Sequence, residues 1–221
     1  MLSTTLIPAC AAAATIALTT GPGVSFTNHY LQSVGETRRV GRLWAGLAAA
    51  VGCGMVGWFG TRHDMLATAA PVLVLVGATV LLTVTDFWTH RLPDVITLAL
   101  TAGAGLSCLV SALFGLLPWE AVGRAFLGAL TAVITFGLIY LLPSGLGAGD
   151  VKLAFPLGLV AGSVSWTCLA HSFLYTYLLG GLVALGLLAV RRQRGTHMAF
   201  GPYMLAGTLL AWLTAPTGWL A

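Results

Sequence analysis

Eight continuous apolar runs make up most of this chain, and its charged residues fall in the short gaps between them or within the first few positions of a run. The runs cover about residues 2–20, 43–60, 65–85, 94–115, 120–142, 151–164, 166–190 and 202–219, the sixth being the shortest. Runs of roughly 15 to 25 residues suit helices that cross a hydrocarbon core. Barrel strands would instead alternate apolar and polar residues over about ten positions. Charged residues form 7% of the 221 positions and hydrophobic ones 58%, with a mean hydropathy of +0.94. A soluble domain carries about 25% charged residues, so these few could not cover a water-facing surface. The chain is therefore read as all-α, a polytopic membrane bundle of about eight transmembrane helices whose backbone polar groups are satisfied within each helix. A single transmembrane domain over 1–221 is expected, because no linker, tandem repeat or soluble segment interrupts the pattern.

The net charge of +4 and pI near 9.1 do not signal nucleic acid, because the basic residues sit where membrane orientation explains them. With the N-terminus outside, the inner gaps hold Arg38, Arg39, Arg42, Arg91, Lys152, Arg191, Arg192 and Arg194. The outer flanks hold only Arg62 and Arg124. This positive-inside pattern supports the count of eight, and it puts the C-terminus outside too. The first run, Leu2 to Thr20, lacks a basic leading region and reads as a transmembrane helix rather than a cleaved signal. The longest gap, 21–42, opens on Gly21-Pro22-Gly23 and is expected as a short cytoplasmic loop. Its basic cluster is a topology anchor, with anionic-lipid contact as a by-product. Cys10, Cys53, Cys108 and Cys168 lie singly in apolar runs and read as small buried hydrophobes rather than zinc ligands or disulfide partners.

The acidic residues are few enough to weigh one by one. Asp64 and Glu120 fall on the outer side, and Glu36 lies among the first basic residues as a solvated charge. Asp86 closes the third run, in Thr85-Asp86-Phe87-Trp88-Thr89-His90-Arg91. A carboxylate abutting apolar surface there is either a functional acid or an interface charge paired with Arg91. Asp150 follows the glycine-rich stretch Gly145-Leu146-Gly147-Ala148-Gly149, whose freedom allows close backbone approach. Its plainer reading is a helix N-cap. Asp94, after Pro93, is a rival second acid, and capping of the fourth run is the reading preferred for it. Lys152 serves equally well as an anchor for Asp150, a contact to substrate or headgroups, or a topology charge.

The two acids together say more than either alone. The helix count brings Asp86 and Asp150 to the same side at similar depth. Neighbouring carboxyls cannot easily both ionise and tend to share one proton. One can then activate water while the other polarises a carbonyl, which is the chemistry of aspartic proteolysis and calls for no cofactor and no metal. The five histidines, His29, His63, His90, His171 and His197, form no metal-spaced pair, and His171 reads as a satisfied buried residue. No nucleotide-binding glycine pattern occurs, and Gly128 and Ala132 read as small residues at a helix-packing interface.

At this point Asp86-Phe87-Trp88-Thr89-His90-Arg91-Leu92-Pro93-Asp94 resembles the first catalytic motif of the type IV prepilin peptidases. Gly147-Ala148-Gly149-Asp150-Val151-Lys152-Leu153 resembles the second motif of that family, G-x-G-D-x-K-[LF], and Ala199-Phe200-Gly201-Pro202-Tyr203 resembles its Phe-Gly-Pro segment before the last helix. The resemblance extends over the chain from about residue 43. Presenilin-type proteases share G-x-G-D, but they pair it with Tyr-Asp and Pro-Ala-Leu motifs that do not occur here.

The resemblance implies a membrane aspartic protease that cleaves the basic leader of prepilins or pseudopilins at the cytoplasmic face of a bacterial inner membrane. It makes Asp86 and Asp150 the catalytic acids. Supporting roles are expected for Gly147, Gly149, Lys152, Arg91, Pro93, Asp94, Phe200, Gly201 and Pro202. One feature departs from the family. Many members also N-methylate the new terminus with S-adenosylmethionine and carry paired C-x-x-C motifs in a long first loop. The 21–42 gap is short and has no cysteine, although Ser25-Phe26-Thr27-Asn28 echoes the family's G-S-F-x-N stretch. A peptidase-only or shortened member is expected. The competing classes are a proton-coupled transporter, since intramembrane carboxylates also mark carriers, and an inert scaffold of a pilus or secretion machine.

Overall fold

The computed structural model describes residues 2–142, 146–191 and 199–215. α1 (Leu2–Leu18) passes through a π-helical turn (Thr19–Gly23) into α2 (Val24–Ser33). There follow α3 (Arg42–Arg62), α4 (Leu66–Thr89), α5 (Asp94–Leu113), α6 (Trp119–Tyr140), α7 (Ala148–Val164), α8 (Trp166–Arg191) and α9 (Gly201–Leu213). Among the described residues there is no strand, and six helical segments are long and apolar enough to cross a membrane. The expected all-α membrane bundle is the fold observed.

α4 is the axis. α1, α3, α5 and α9 all pack on it, and about two-thirds of its apolar span is buried. Two of its threonines return their hydroxyls to the backbone one turn earlier, Thr79 to Leu75 and Thr85 to Leu81, so neither hydroxyl needs water. Leu43, Leu98, Leu113 and Leu182 are more than two-thirds exposed, which in this solvent means facing lipid.

The closest helix pair is α6 and α7. A Cβ on Gly158 would stand 2.5 Å from Gly128 O, and one on Gly128 would stand 2.7 Å from Gly158 O. Only glycine permits this backbone-to-backbone approach, so the small-residue reading of Gly128 and Ala132 holds. α7 then stops after 17 residues with carbonyls still unpaired. Arg124 of α6 collects them. Its Nε donates to Gly162 O at 2.9 Å, and its Nη2 donates to Ser163 O at 3.2 Å and Val164 O at 2.9 Å. The residue read as an outer topology charge is a C-cap supplied by a neighbouring helix.

The beginning of the chain also departs from expectation. The segment from Gly21 is helical through Ser33, leaving a connection of 34–41 in place of the 21–42 loop. Gly-Pro-Gly reads as a turn, but Pro22 costs an ordinary helix mainly its missing N–H and a clash with the carbonyl four residues back. The π turn absorbs both, and Val24 N–H bonds to Thr19 O five residues back. Asn28 then staples the connection. Its Nδ2 donates to Val40 O at 3.1 Å, and its Oδ1 accepts from Val40 N at 2.7 Å. Cys10 is exposed, whereas Cys53, Cys108 and Cys168 are buried as expected. His171 is half-buried and stacks on Tyr175, but its buried Nδ1 has no partner, against the expectation of a satisfied histidine. Gly145, Arg192, Arg194 and His197 lie outside the described residues.

Candidate active site

Asp86 lies in the last turn of α4, which ends where His90 takes a left-handed conformation (φ 50°) and its N–H bonds to Asp86 O at 2.9 Å. The chain reverses through Arg91-Leu92 to Pro93, the N-cap of α5. A proline suits that position because a first-turn N–H has no helical acceptor. At the same end of the bundle α7 begins. Asp150 occupies its third position, and Oδ2 reaches back to accept from Gly147 N at 2.9 Å while Asp150 N donates to Gly147 O at 3.0 Å. Asp150 is thus a capping acceptor from inside the helix rather than the N-cap itself, which is Gly147.

α9 completes the group from far along the chain. Gly201 N, in its first turn, donates to Asp86 Oδ2 at 3.0 Å across 115 residues of sequence. The N-cap of α9 is Phe200, whose side chain cannot accept a hydrogen bond, so the carboxylate of Asp86 performs that service.

The ends of α2, α4, α5, α7 and α9 enclose an open cavity of about 1260 Å³. Asp86, Asp150, Gly147, Gly149, Lys152, Arg91, Pro93, Asp94, Phe200 and Pro202 all line it, and Gly201 sits behind Asp86. Every residue expected at the site is therefore brought to one place. Of the six acidic residues only Asp86 (4% exposed) and Asp150 (7%) are buried. They are close enough for the charge of one to act on the other.

Asp94 makes no capping bond, contrary to expectation. Its carboxylate receives Lys152 Nζ at 2.8 and 2.9 Å, tying the N-terminal ends of α5 and α7 across the cavity rim. Lys152 therefore anchors Asp94, not Asp150, and Arg91 lines the cavity without forming the ion pair considered for Asp86. The sequence reading missed three participants. Leu92 lies against both glycine-bearing helix ends: a Cβ on Gly149 would stand 3.4 Å from it, and one on Gly201 3.3 Å. Tyr30 and Tyr203 add their rings to the wall. Leu92 and Tyr203 stood inside the stretches that carry the resemblance, without being singled out; nothing local to Tyr30 marks it.

A closed apolar bundle with two buried carboxyls at one end can hold water, a peptide carbonyl and a shared proton together. Neither the curated proteins nor the solved structures contain a match to this chain. The model of the type IV leader peptidase family matches residues 73–185, more than half of the chain, from within α4 to within α8 and across both buried aspartates. The chain accordingly belongs to the type IV leader peptidase family and is a protease built as a multi-pass membrane protein.

Proposed function

We propose that the protein is an aspartic endopeptidase that removes the basic leader from type IV prepilins or pseudopilins at the cytoplasmic face of a bacterial inner membrane. The observation that carries this reading is that the chain's only two buried acids line one cavity. Both lie within the stretch that matches the leader-peptidase family.

Sharing one proton, the pair works as base and acid. The ionised carboxylate takes a proton from water as the water oxygen attacks the scissile carbonyl carbon. The protonated partner gives its proton to the carbonyl oxygen, leaving a gem-diol. Collapse returns a hydroxyl proton to the carboxylate while the other carboxyl protonates the amide nitrogen. The C–N bond breaks, a carboxylic acid and an amine leave, and the pair again holds one proton. The apolar segment of the substrate lies along the lipid-facing bundle and presents the leader junction to the cavity. The connection at 34–41 has no cysteine, which supports a peptidase without the methyl-transfer module.

The test is cleavage of a prepilin-like substrate in membranes by wild type, Asp86→Asn and Asp150→Asn. Cutting at the leader junction by wild type, with both folded variants inactive, is the expected result. A folded variant that cuts at the wild-type rate overturns the assignment. Wild type that cuts nothing but moves solute into liposomes favours the transporter instead.

A further inference from the structure

The stretch that matches the family ends at residue 185, yet the backbone donor to the Asp86 carboxylate comes from beyond it. Both buried carboxylates are held in the same manner. Asp86 accepts from Gly201 N through Oδ2 at 3.0 Å, and Asp150 accepts from Gly147 N through Oδ2 at 2.9 Å. In each case the donor is the amide of a glycine at the N-terminal end of a helix, α9 or α7, where N–H groups lack helical acceptors. The fit at Gly201 is the tighter one. A Cβ there would stand 2.8 Å from Asp86 Oδ2 and 3.3 Å from Leu92 Cδ2, so the amide reaches the carboxylate only because no side chain intervenes. Gly201 and Asp86 are both buried, so the amide is turned to the carboxylate and away from bulk water.

We propose that Gly201 is a positioning residue for Asp86, acting through its backbone N–H, and that it and Gly147 fix Oδ2 of the two aspartates so that the reaction runs through the Oδ1 atoms. The proposal rests on Asp86 and Asp150 being the catalytic pair. A carboxylate held at one oxygen keeps its plane and its distance from its partner, which is what proton exchange with water and substrate demands. α9 is then part of the catalytic centre, though it contributes no reacting group.

The experiment removes the donor and little else. Glycolic acid is placed at position 201 in the full chain, so that the amide N–H becomes an ester oxygen, and kcat and KM are measured on a prepilin-like substrate beside Asp86→Asn. Loss of one charge-assisted bond predicts a fall in kcat of about tenfold to a hundredfold. KM should stay within about threefold, because the amide contacts Asp86 and not the substrate. An ester chain with kcat within about twofold of wild type, beside an inactive Asp86→Asn, overturns this proposal and leaves the catalytic pair standing. A fully active Asp86→Asn overturns the pair itself, and the proposal with it. If the ester chain does not fold, Gly201→Ala takes its place, keeping the amide but pressing a methyl on the carboxylate. It too must lose kcat by about tenfold or more at little-changed KM, and wild-type kcat there refutes the proposal.

Discussion

Lys152 and Asp94 form an ion pair of 2.8 Å that joins the N-terminal ends of α7 and α5 across the rim of the cavity that holds Asp86 and Asp150. Their side chains are 57% and 70% exposed, so the pair is screened and contributes only about 0.2–1 kcal/mol to stability. Its use is geometric, since Asp150 lies two residues before Lys152, and Asp94 opens the helix that follows the Asp86 turn. Lys152→Met and Asp94→Asn are each expected to lower cleavage several-fold while shifting the unfolding midpoint little. A double-mutant cycle on cleavage rate checks this. Coupling is expected, and strictly additive losses would show that the two residues act separately.

The three glycines of the site are predicted to differ. A methyl at position 201 meets Asp86 Oδ2 at 2.8 Å; at 147 it meets Asp150 Oδ2 at 3.3 Å; at 149 it meets only Leu92, at an ordinary 3.4 Å. Alanine should therefore reduce kcat most at 201, less at 147 and least at 149. Parallel kinetics on the three variants test the order. Position 149 proving the most sensitive would contradict the packing described.

Asp86 caps α9, so its removal should be felt in stability as well as activity. Asp86→Ala orphans the buried Gly201 amide, at about 1–3 kcal/mol. Asp86→Asn keeps a carbonyl acceptor of nearly the same shape. Denaturant or thermal unfolding in detergent should rank wild type and Asn above Ala, while both variants are expected to lose cleavage. Equal stability of Asn and Ala would mean that the amide finds another acceptor.

Arg124 lies far from the cavity but terminates the helix that carries Asp150. Arg124→Met leaves the carbonyls of Gly162, Ser163 and Val164 without their donor. A loss of about 1–3 kcal/mol is expected, in unfolding experiments in detergent. Arg124→Lys should recover only part of it, because an ammonium lacks the planar fork that serves three acceptors at once. Full recovery by lysine would argue that charge alone matters there.

Much of this architecture was legible in the sequence because lipid leaves few choices. Long apolar runs had to be helices, and two acids at helix ends could be matched by counting turns of the chain. What stayed hidden depended on contacts between distant residues. Arg124 looks like any flanking charge until α7 stops short beside it. Asp94 looks like a cap until Lys152 faces it, 58 residues away. Gly21-Pro22-Gly23 looks like a turn because the composition of a π-helical step is that of a loop. The amide of Gly201 carries no sequence signal at all, since every residue but proline has one.

The bond between Gly201 and Asp86 also bears on biosynthesis. Asp150 takes its place through α6 and α7, neighbours in the chain that can pair as soon as both are in the membrane. Asp86 waits for α9, which follows it by more than a hundred residues. A nascent chain that has reached α8 already contains both aspartates, but not the amide that bonds to the first of them. On the proposed reading, the pair is therefore aligned only when α9 joins the bundle, well after both aspartates have been made.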